Sequence, residues 1–470
     1  MKPELKHAHF SGNLVIVGFG SIGQATLPLL FRHLEIHSEQ IKIIAADECG
    51  AEIAQEYGVA FMLYPLTEQN YFDVLEPWLN TDDFLLNLSV DVSSLALIEL
   101  CHQRGALYLD TSIEPWPGGY TDSSKSVSQR SNYALREEVL AFGRANSSGP
   151  TAIITHGANP GLASAFVKQA LLDIAVDSSE SMKMPASNEE WARLAFRLGI
   201  KVIHVAERDT QTTPQRKRRD EFINTWSVPG FIGEALQPSE LGWGSHERHW
   251  PTDGARHTSG CDAAIYLNRP GATTCVRSWT PLEGSYQGFL ITHCESISIA
   301  DHLTLRENDA VIYRPTVHYA YYPCDDAVLS LHEMVGKQPQ LNRRIIRDEI
   351  SAGMDELGVL LMGNAKGVYW YGSRLTIEQA RQLAPHNNAT SMQVAAGVLA
   401  GMVWALRNPR VGVVEPDDID YEIVLEIARP YLGDLVGVYG DWTPLHGRGL
   451  LFTEELDWDD PWQFSNMRVT

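Results

Sequence analysis

The segment NLVIVGFGSIGQATLPLL, residues 13–30, joins a short apolar run to a glycine-rich turn and then to a helical pattern. The apolar run at 14–17 predicts a buried parallel strand. The turn that follows has the spacing G-x-G-x-x-G, formed by Gly18, Gly20 and Gly23. In this motif the first glycine permits a tight turn, the second lets the backbone approach a pyrophosphate, and the third lets the helix pack close to the strand. The segment therefore predicts a dinucleotide-binding βα unit with an anion at the helix N-terminus.

A second apolar run, IKIIAAD at residues 41–47, places an acid at the end of the next strand. Asp47 is suited to hydrogen-bond a ribose 2′-hydroxyl and to repel a 2′-phosphate, which favours NAD over NADP. Within the turn, Ser21 and Ile22 are further candidates for cofactor contact. A glycine turn can also join a strand and a helix without binding a nucleotide, and that interpretation stays open. Pro28 interrupts the helical pattern and predicts a kink or a lost backbone hydrogen bond.

The composition predicts a folded protein of more than one domain. A chain of 470 residues exceeds one ordinary core, so two or three domains are expected. The formal net charge of -22 disfavours a nucleic-acid partner or an anionic membrane surface. The charge fits a cationic small molecule, and it equally fits an acidic surface that serves solubility alone.

The cysteines and the N-terminus bear on the compartment. The six cysteines form no C-x-x-C pair, so neither a zinc cage nor a disulfide framework is indicated, and we predict no metal site. The N-terminal MKPELKHAHFSGN lacks the apolar core of a signal peptide, and no stretch is expected to reach the length of a membrane span. These features predict a cytoplasmic protein without a membrane partner.

Strand and helix patterns continue to alternate after residue 47. Strands are expected at 84–88, 106–109 and 151–156, the last at the edge of the sheet, with a helix at 93–104 capped by a serine. This alternation predicts an α/β fold with a Rossmann-like, doubly wound parallel sheet. Polar residues follow the strand ends, where such sheets bind ligands. They are Ser89, Asp91, Thr111, Ser112, Glu114 and Asn159, and Pro160 follows the last of them.

One loop near these residues, from Gly118 to Gln129, is rich in glycine, serine and threonine. It either closes over a ligand site or only connects two elements. A loop that closes over a ligand site would exclude water from the bound ligand.

The sequence pattern changes near Asp173. Beyond it the apolar runs are shorter, and segments such as GFLITHCESISIADHLTL (288–305) and AVIYRPTVHYAYYP (310–323) resemble strands, so we expect an α+β catalytic domain. Late in the chain, residues 386–409 predict a long, nearly uncharged helix that packs into a core. The predicted organisation is a dinucleotide-binding domain at 1–160, to which 386–430 returns, a substrate domain at 161–385, and a tail at 431–470 that packs on the substrate domain or on a partner subunit.

The segment INTWSVPGFIGEAL, residues 223–236, carries the strongest second signal. Trp226 lies among turn-forming residues, and Glu234 follows after a Pro-Gly pair. An aromatic face stabilises a cation, and a carboxylate can hold a second cationic group at a fixed distance. A tryptophan packed into the core of a loop is the other interpretation.

Other carboxylates can join this pair, among them Glu207 in HVAERDT and Glu295 in THCES. On a strand, His293 and Glu295 would face the same side because side chains alternate. Such a pair can move protons, can bind a metal, or can be a buried histidine with satisfied hydrogen bonds, although no third ligand has metal-site spacing. The basic run QRKRRDEF, residues 215–222, predicts a solvated face.

Several of these segments together resemble a known family. The late helix, the tryptophan loop and the glycine turn are similar to those of the homospermidine synthases, a group of saccharopine-dehydrogenase-like reductases. The matching segments are GFGSIGQATLPLLFRH (18–33), GANPGLAS (157–164), NTWSVPGF (224–231), THCESISI (292–299) and HNNATSMQVAAGVLAG (386–401). The resemblance implies a transferase of polyamine biosynthesis that joins two putrescines into homospermidine and releases ammonia. It also implies that a hydride passes to tightly held NAD and returns, without net redox.

The resemblance further implies roles for individual residues. Trp226 would steady an iminium group by cation–π attraction, and Glu234 would anchor the distal ammonium. Asn159, with Pro160, would lie between nicotinamide and substrate. Negative potential and proton transfer would come from further acids and one histidine, with the general base unassigned: Asp91, Glu114, Glu207, Glu295, His293 as a proton shuttle, and Asp355 in GMDELGVLL. A homodimer that accepts diamines such as putrescine or diaminopropane, and also spermidine, is expected on the same ground.

Two other functions stay open. A Schiff-base reductase of the carboxyspermidine or saccharopine type, using NAD(P)H, would need arginines to clamp a carboxylate, and Arg197, Arg208 and Arg314 are available. A non-catalytic NAD-binding regulator would not need a group of acids around an aromatic loop.

Overall fold

The computed structural model describes residues 6–180, 183–336, 342–450 and 452–469. Residues 1–5, on which the expected absence of a signal peptide partly rests, lie outside the described residues. The strands, in chain order, are β1 (Ala8–His9), β2 (Leu14–Val17), β3 (Leu34–Glu35), β4 (Ile41–Ala45), β5 (Ala60–Leu63), β6 (Phe84–Asn87), β7 (Leu107–Asp110), β8 (Ala152–Ile153), β9 (Val202–Asp209), β10 (Glu221–Asn224), β11 (Pro238–Gly242), β12 (Gly254–Arg256), β13 (Ala264–Pro270), β14 (Cys275–Thr280), β15 (Gly284–Phe289), β16 (Leu305–Glu307), β17 (Ala310–Tyr313), β18 (Thr316–Tyr322), β19 (Asn342–Ile345), β20 (Met354–Asn364), β21 (Gly367–Thr376), β22 (Val413–Val414) and β23 (Asp434–Gly440).

The α-helices lie between these strands and cover their faces. In chain order they are α1 (Ser21–His33), α2 (Ala51–Glu56), α3 (Tyr71–Leu75), α4 (Ser94–Arg104), α5 (Asn132–Ala145), α6 (Leu162–Asp177), α7 (Asn188–Arg197), α8 (Val228–Leu236), α9 (Cys294–His302), α10 (Asp325–Gly336), α11 (Ile377–Leu383), α12 (Ala389–Arg407), α13 (Tyr421–Ala428) and α14 (Phe464–Met467).

The first large sheet is parallel, with the strand order β22-β8-β7-β6-β2-β4-β5. The chain starts in the interior at β2, adds β4 and β5 on one side, and then crosses to β6 on the other. The strand order therefore reverses between β2 and β6, which is the position where doubly wound sheets bind ligands. The predicted α/β class with a Rossmann-like sheet is confirmed.

Local sequence explains where these elements begin and end. The hydroxyl of Ser93 caps α4 by accepting the Ala96 amide at 3.3 Å, as predicted, and Gly105 ends the helix with a left-handed φ of 77°. Helix α1 continues through Pro28 and loses one backbone donor there. The prediction that β8 forms the sheet edge is wrong, because the late strand β22 pairs with β8 in parallel and lies outside it.

The second large sheet is mixed, with the order β12-β13-β11-β18-β9-β20-β21-β23, and β14 and β15 attach beside β18. Strands β9 and β18 run parallel, whereas β20 is antiparallel to β9. Odd-numbered residues of β9, such as Val205 and Glu207, share the face with Tyr319 and Leu357 of the neighbouring strands. Helices α6 and α9 pack against this sheet.

Helix α12 packs on α1, β7 and β8, so the late segment contacts the first sheet. A Cβ atom at Gly397 would lie 2.0 Å from the Gly157 carbonyl oxygen, so only glycine permits this approach. By length and composition α12 is apolar enough to cross a membrane, which differs from the expectation above. However, 89% of its most apolar window is buried inside the fold, as predicted for a core helix.

The tail covers the opposite face of the second sheet. Met467 packs with Trp370 and Trp442, and Phe464 packs with Leu241 and Ala320. The prediction of strand structure through residues 288–305 is wrong, because the chain turns into α9 at Cys294. Helix α9 is buried between β11, β18 and α7, and this tertiary packing overrides the short alternating pattern.

Candidate active site

The glycine turn between β2 and α1 has the geometry that a pyrophosphate requires. Gly18 has a φ of 82°, and a Cβ atom there would lie 2.7 Å from the Leu88 carbonyl oxygen. Gly20 is the N-cap of α1, and a Cβ atom there would meet no described atom within 4 Å. A Cβ atom at Gly23 would lie 3.2 Å from the Gly18 carbonyl oxygen. Close packing therefore requires the first and third glycines, and the second leaves open space at a helix N-terminus.

Two polar groups flank this turn. The Oγ atom of Ser21 is buried at the start of α1 and has no hydrogen-bond partner among the described residues. Asp47, just beyond β4, is exposed, and its Oδ1 accepts the Cys49 amide at 2.9 Å. An unpaired hydroxyl beside helix N-terminal amides suits a phosphate, and an acid at the end of the next strand suits a ribose.

The remaining cofactor candidates lie at the same edge of the parallel sheet. The Ser89 hydroxyl donates to Oδ1 of Asn87 at 2.5 Å, and the Ser89 amide lies 2.7 Å from the position that a Gly18 Cβ would occupy. The methyl group of Thr111 lies 3.5 Å from a Cβ placed on Gly157. The Ser112 carbonyl accepts the Ser94 hydroxyl at 3.4 Å, and Ile22 is half-buried.

The GANPGL turn joins β8 to α6 and reaches the second sheet. The Gly157 amide donates to the Pro160 carbonyl at 2.7 Å, and Gly161 has a φ of 128°. The side-chain amide of Asn159 donates to Oε2 of Glu207 on β9 at 2.7 Å. One hydrogen bond thus connects the ligand-binding edge of the parallel sheet to an acid on the other sheet.

Glu207 is a buried carboxylate with two donors on one oxygen. The Tyr319 hydroxyl donates to the same Oε2 at 2.5 Å. Burial raises the pKa of Glu207 to about 7, although the hydrogen bonds from Tyr319 and Asn159 oppose the rise. Near neutral pH this group therefore exists in both protonation states, which suits a general base.

Two further acids share the face of Glu207. Asp355 on β20 is in register with Asp209 on β9. Oδ2 of Asp355 accepts the Thr390 hydroxyl at 2.6 Å, and Oδ2 of Asp209 accepts the Thr225 hydroxyl at 2.8 Å. Burial raises the pKa of Asp209 to about 6, and burial together with the Glu207 and Asp209 charges holds the pKa of Asp355 well above its usual value. Asp209 therefore holds the residue before Trp226, and Asp355 holds the start of α12.

His293 bridges two carboxylates. Its Nδ1 lies 3.1 Å from Oε1 of Glu295, and its Nε2 lies 3.3 Å from Oε2 of Glu234. Burial opposes a positive charge here, but the two carboxylates outweigh it and raise the pKa of His293 to about 10. The ring packs on Tyr319 with 4.3 Å between the centroids. His293 is therefore an imidazolium that connects Glu234 to the Glu207 group.

A cleft of about 460 Å³ opens beside this group, lined by Glu234, Glu114 and Asp91. Asp91 is exposed at the cleft wall and has a left-handed φ of 63°. Burial and the nearby Glu234 charge raise the pKa of Glu114 to about 8, and its Oε2 has no hydrogen-bond partner among the described residues. A buried carboxyl oxygen without a hydrogen-bond partner, next to other acids along a cleft, suits a cationic ligand.

Trp226 lies immediately before α8 and is half-buried. Its indole N–H donates to the Tyr321 hydroxyl at 3.2 Å, and its ring lies 5.4 Å from that of Phe231. Tyr321 stacks on Tyr319 with 5.0 Å between centroids. A continuous aromatic row therefore runs from Trp226 to His293.

The structure brings most of the predicted site residues together. One connected group is formed by Trp226, Asn159, Glu207, His293, Glu295, Glu234 and Asp355, and Asp91 and Glu114 line the cleft next to it. Sequence reasoning missed Tyr319, Tyr321 and Asp209. The alternation in TVHYAYYP and in HVAERDT contained the signal, because residues two apart on a strand share a face. Among the described residues, no group of three metal-ligating side chains is arranged to hold a metal.

The three arginines predicted for a carboxylate clamp do not line the cleft. Arg208 lies on the opposite face of β9 and pairs with Asp325 at 3.3 Å. Arg314 donates to the Thr304 hydroxyl at 2.8 Å, and Arg197 is exposed at the end of α7. Three other arginines line the rim of the cleft: Arg130, Arg269 and Arg343.

The basic run at 215–222 is only partly solvated, which corrects the prediction. The side chain of Arg219 is 81% exposed, but that of Lys217 is 8% exposed because it forms an ion pair with Glu333. Arg216 pairs with Asp326 at 3.0 Å.

Comparisons with known proteins cover nearly the whole chain. The model of the saccharopine dehydrogenase NADP binding domain matches residues 14–153, and that of the saccharopine dehydrogenase C-terminal domain matches residues 157–441. The chain is 53% identical over 464 residues to the homospermidine synthase of Blastochloris viridis, covering 97% of both chains. It is 48% identical over 472 residues to that of Mesorhizobium japonicum, covering 98% of this chain and 97% of the relative. The crystal structure of the homospermidine synthase from Legionella pneumophila in complex with NAD matches with a TM-score of 0.92 and 51% identity, over 98% of each chain.

Proposed function

This chain belongs to the homospermidine synthases of the saccharopine dehydrogenase family, and from that premise we propose that it joins two putrescines into homospermidine and releases ammonia. The observation that carries the proposal is the acidic, aromatic group described above. Trp226, Glu234 and Glu207 suit a doubly cationic substrate. The three arginines predicted for a carboxylate clamp, Arg197, Arg208 and Arg314, do not line the cleft. The reaction balances without net redox, because the carbon that loses a hydride regains one in the product.

The residues of the parallel sheet edge fit NAD. The α1 N-terminus, with the open space at Gly20 and the unpaired Ser21 hydroxyl, would hold the pyrophosphate. Asp47 would hold the adenosine ribose, and its charge disfavours a 2′-phosphate although the matched family model is described as NADP binding. Ser89 and Thr111 would lie toward the nicotinamide end. When bound, NAD supplies a hydride acceptor and donor.

Glu207 is the proposed base for the donor amine. A primary amine must be neutral before its carbon can release a hydride, so a proton acceptor is needed next to it. Because the pKa of Glu207 is about 7, the carboxylate can accept a proton at neutral pH and later return it. Asn159 holds the same carboxylate at 2.7 Å and would thereby align it with the substrate.

Trp226 and Glu234 are proposed to hold the two ends of the diamine. The indole face would lie against the iminium carbon and stabilise its charge by cation–π attraction. Glu234 would bind the distal ammonium, and His293 and Glu295 would hold the Glu234 carboxylate in place. Asp91 would draw the dication into the cleft, and an ammonium group beside Glu114 would favour the ionised form of that acid, whose pKa burial raises to about 8. Asp355 would stay a neutral acid on the face of Glu207.

An imine intermediate must be kept from water, because hydrolysis would end the cycle. We propose that the loop from Gly118 to Gln129, part of which lines the cleft, closes over the site.

We further propose that residues 1–160 with 386–430 bind the cofactor and that residues 161–385 bind the diamine. We also propose that the enzyme is a cytoplasmic homodimer. The six free cysteines fit a reducing compartment, and the resemblance supports the dimer.

The function is tested by incubating purified protein with putrescine and NAD, following NADH absorbance and identifying products by mass. Homospermidine and ammonia without lasting NADH are expected. Lasting NADH with no homospermidine would indicate a simple dehydrogenase, and NADPH loss with carboxylated substrates would indicate a Schiff-base reductase. Spermidine and diaminopropane, tested in the same way, define which other amines are accepted.

The Asp47→Ala variant should bind NAD roughly tenfold more weakly and should gain affinity for NADP. The lost hydrogen bond to the ribose weakens NAD, and removal of the charge admits a 2′-phosphate. Isothermal titration with both cofactors measures the change. Glu48→Ala, which removes an adjacent exposed acid, is the control and should leave both affinities as in the wild type. Equal behaviour of the two variants would exclude the ribose contact.

The Glu234→Gln variant should raise KM for putrescine roughly ten- to a hundredfold, because it keeps the size of the side chain but removes its charge. The pKa of His293 should also fall, since one of its two carboxylate partners is lost. Steady-state kinetics measure the first effect, and histidine NMR titration measures the second. Glu138→Gln, an exposed acid on α5, is the matched control. An unchanged KM in Glu234→Gln would rule out the anchoring role.

A further inference from the structure

Tyr319 joins the two halves of the candidate active site, although the proposed function gives it no role. It is 3% exposed, its hydroxyl donates to Oε2 of Glu207 at 2.5 Å, and its ring lies 4.3 Å from that of His293 with 33° between the planes. Phenylalanine would fill the same space in the core and make the same ring contacts. The hydroxyl is therefore the part of this side chain that the packing does not explain.

We propose that Tyr319 is a positioning residue for proton transfer: its hydroxyl, together with the Asn159 amide, occupies Oε2 of Glu207 and leaves Oε1 as the oxygen that takes and returns the substrate proton. The inference rests on the proposed function. Both hydrogen bonds to this carboxylate end on Oε2, and Oε1 accepts none from the described residues. A carboxylate with one oxygen held by two donors cannot rotate without breaking both bonds, so its free oxygen has a fixed direction.

Tyr319 can keep this role at any pH at which the enzyme works. Burial and the Glu207 charge hold the pKa of the Tyr319 phenol well above its ordinary value, so the hydroxyl stays a donor. The same ring lies against the His293 imidazolium, whose charge is fixed by Glu234 and Glu295. Tyr319 thus donates a hydrogen bond to the proposed base, Glu207, and packs against the His293 imidazolium. That imidazolium in turn holds the Glu234 carboxylate.

The pH dependence of Glu207 is set by several groups besides Tyr319. Asp209 lies two residues further along the same strand, Asp355 and Tyr286 approach it from other strands, and His293 approaches it from the start of α9. Tyr321 lies beside Tyr319. A donor to the ionised form lowers the pKa of a carboxyl group, so loss of the Tyr319 hydroxyl raises the pKa of Glu207. Activity that needs the carboxylate is lost as pH falls through this pKa. The acid limb of the pH profile therefore moves to higher pH when the hydroxyl is removed.

The test is the pH profile of kcat/KM for putrescine in Tyr319→Phe, with Tyr321→Phe as the matched control. In Tyr319→Phe the acid limb should move up by about one pH unit, and kcat should fall roughly tenfold at neutral pH. Tyr321→Phe removes the hydrogen bond to Trp226 but none to Glu207, so it should lower kcat without moving the acid limb. Coincident limbs for wild type and Tyr319→Phe would overturn the inference. Wild type that forms no homospermidine would instead overturn the proposed function.

A second replacement tests the same hydrogen bond without removing it. Substituting 3-fluorotyrosine for Tyr319 makes the phenol more acidic and hence a stronger donor, with almost no change in size. The acid limb should then move to lower pH, opposite to the effect of Tyr319→Phe. The same replacement of Tyr321 should leave the limb in place. Thermal melting of each variant identifies misfolding. If the protein with 3-fluorotyrosine at position 319 is folded and the acid limb of its pH profile does not move, the inference is overturned.

Discussion

In the Glu207→Gln variant, kcat for homospermidine formation should fall by roughly two to four orders of magnitude, the loss expected when a general base is removed. Glutamine still accepts hydrogen bonds from Asn159 and Tyr319, so the local packing should survive. The donor amine, however, loses the group that makes it neutral. Steady-state kinetics with product identification measure the turnover, and titration of NAD into the same protein should give an affinity close to that of the wild type.

The matched control is Glu356→Gln, the same change in the same sheet. Glu356 lies on the opposite face of β20, where it accepts the Thr280 hydroxyl at 2.7 Å. This variant should keep the turnover of the wild type. If Glu207→Gln retained more than a tenth of the wild-type turnover, or if both variants lost it equally, Glu207 would not be the base.

The Trp226→Ala variant should lose about 30-fold or more in kcat and keep its affinity for NAD. A cation–π contact in a desolvated site contributes about 2 kcal/mol, and this contribution is largest where the iminium charge develops. Trp226 lies before α8, on the second sheet's side of the site, so the glycine turn at Gly18 and Gly20 is not altered. Single-turnover kinetics and NAD titration separate the two effects.

Trp226→Phe is the informative companion, because it keeps an aromatic face but loses the hydrogen bond to Tyr321. It should recover most of the turnover that Trp226→Ala loses. If alanine and phenylalanine were equally impaired, the hydrogen bond rather than the ring face would be the important feature. A parallel loss of NAD affinity and melting temperature would assign Trp226 a folding role instead.

The glycine turn was predictable because its constraints are local. Gly18 needs a left-handed φ and Gly23 a close approach to the preceding backbone, and both requirements arise within six residues of chain. The acid at Asp47 follows from the next strand of the same βαβ unit. Short-range geometry is therefore sufficient to propose where the cofactor binds, without knowledge of the second sheet.

The contact between His293 and Glu295 was predicted from the wrong element. The two residues were expected to share one face of a strand, but α9 begins between them. Side chains two apart within a helix do not face each other. Here His293 is the extended N-cap, with φ of -145° and ψ of 142°, and Glu295 lies in the first turn, where its Oε1 is 3.1 Å from Nδ1 of His293. Burial of the segment against β11 and β18 selected the helix, and the sequence alternation does not contain that packing.

Tyr319, Tyr321 and Asp209 were missed because their partners are distant in the chain. The Tyr319 hydroxyl reaches Glu207 because β18 pairs in parallel with β9. Asp209 lies opposite Asp355 because β20 pairs with the other edge of β9. Strand order in a mixed sheet is set by the packing of the whole domain. Candidate acids could be named from their neighbours in the sequence. The strand register that brings these acids together could not be predicted in that way.

The most direct test of the account is the fate of carbon-bound deuterium in homospermidine made from an equal mixture of unlabelled putrescine and putrescine deuterated at both terminal carbons. We predict that every product molecule contains intact labelled or unlabelled halves, because the hydride that leaves a carbon returns to the same molecule before the site opens. Mass spectrometry of the purified product reads this directly. Products that lack one deuterium, or that gain one in an unlabelled half, would contradict the account, since they would mean that the reduced cofactor exchanges between substrates.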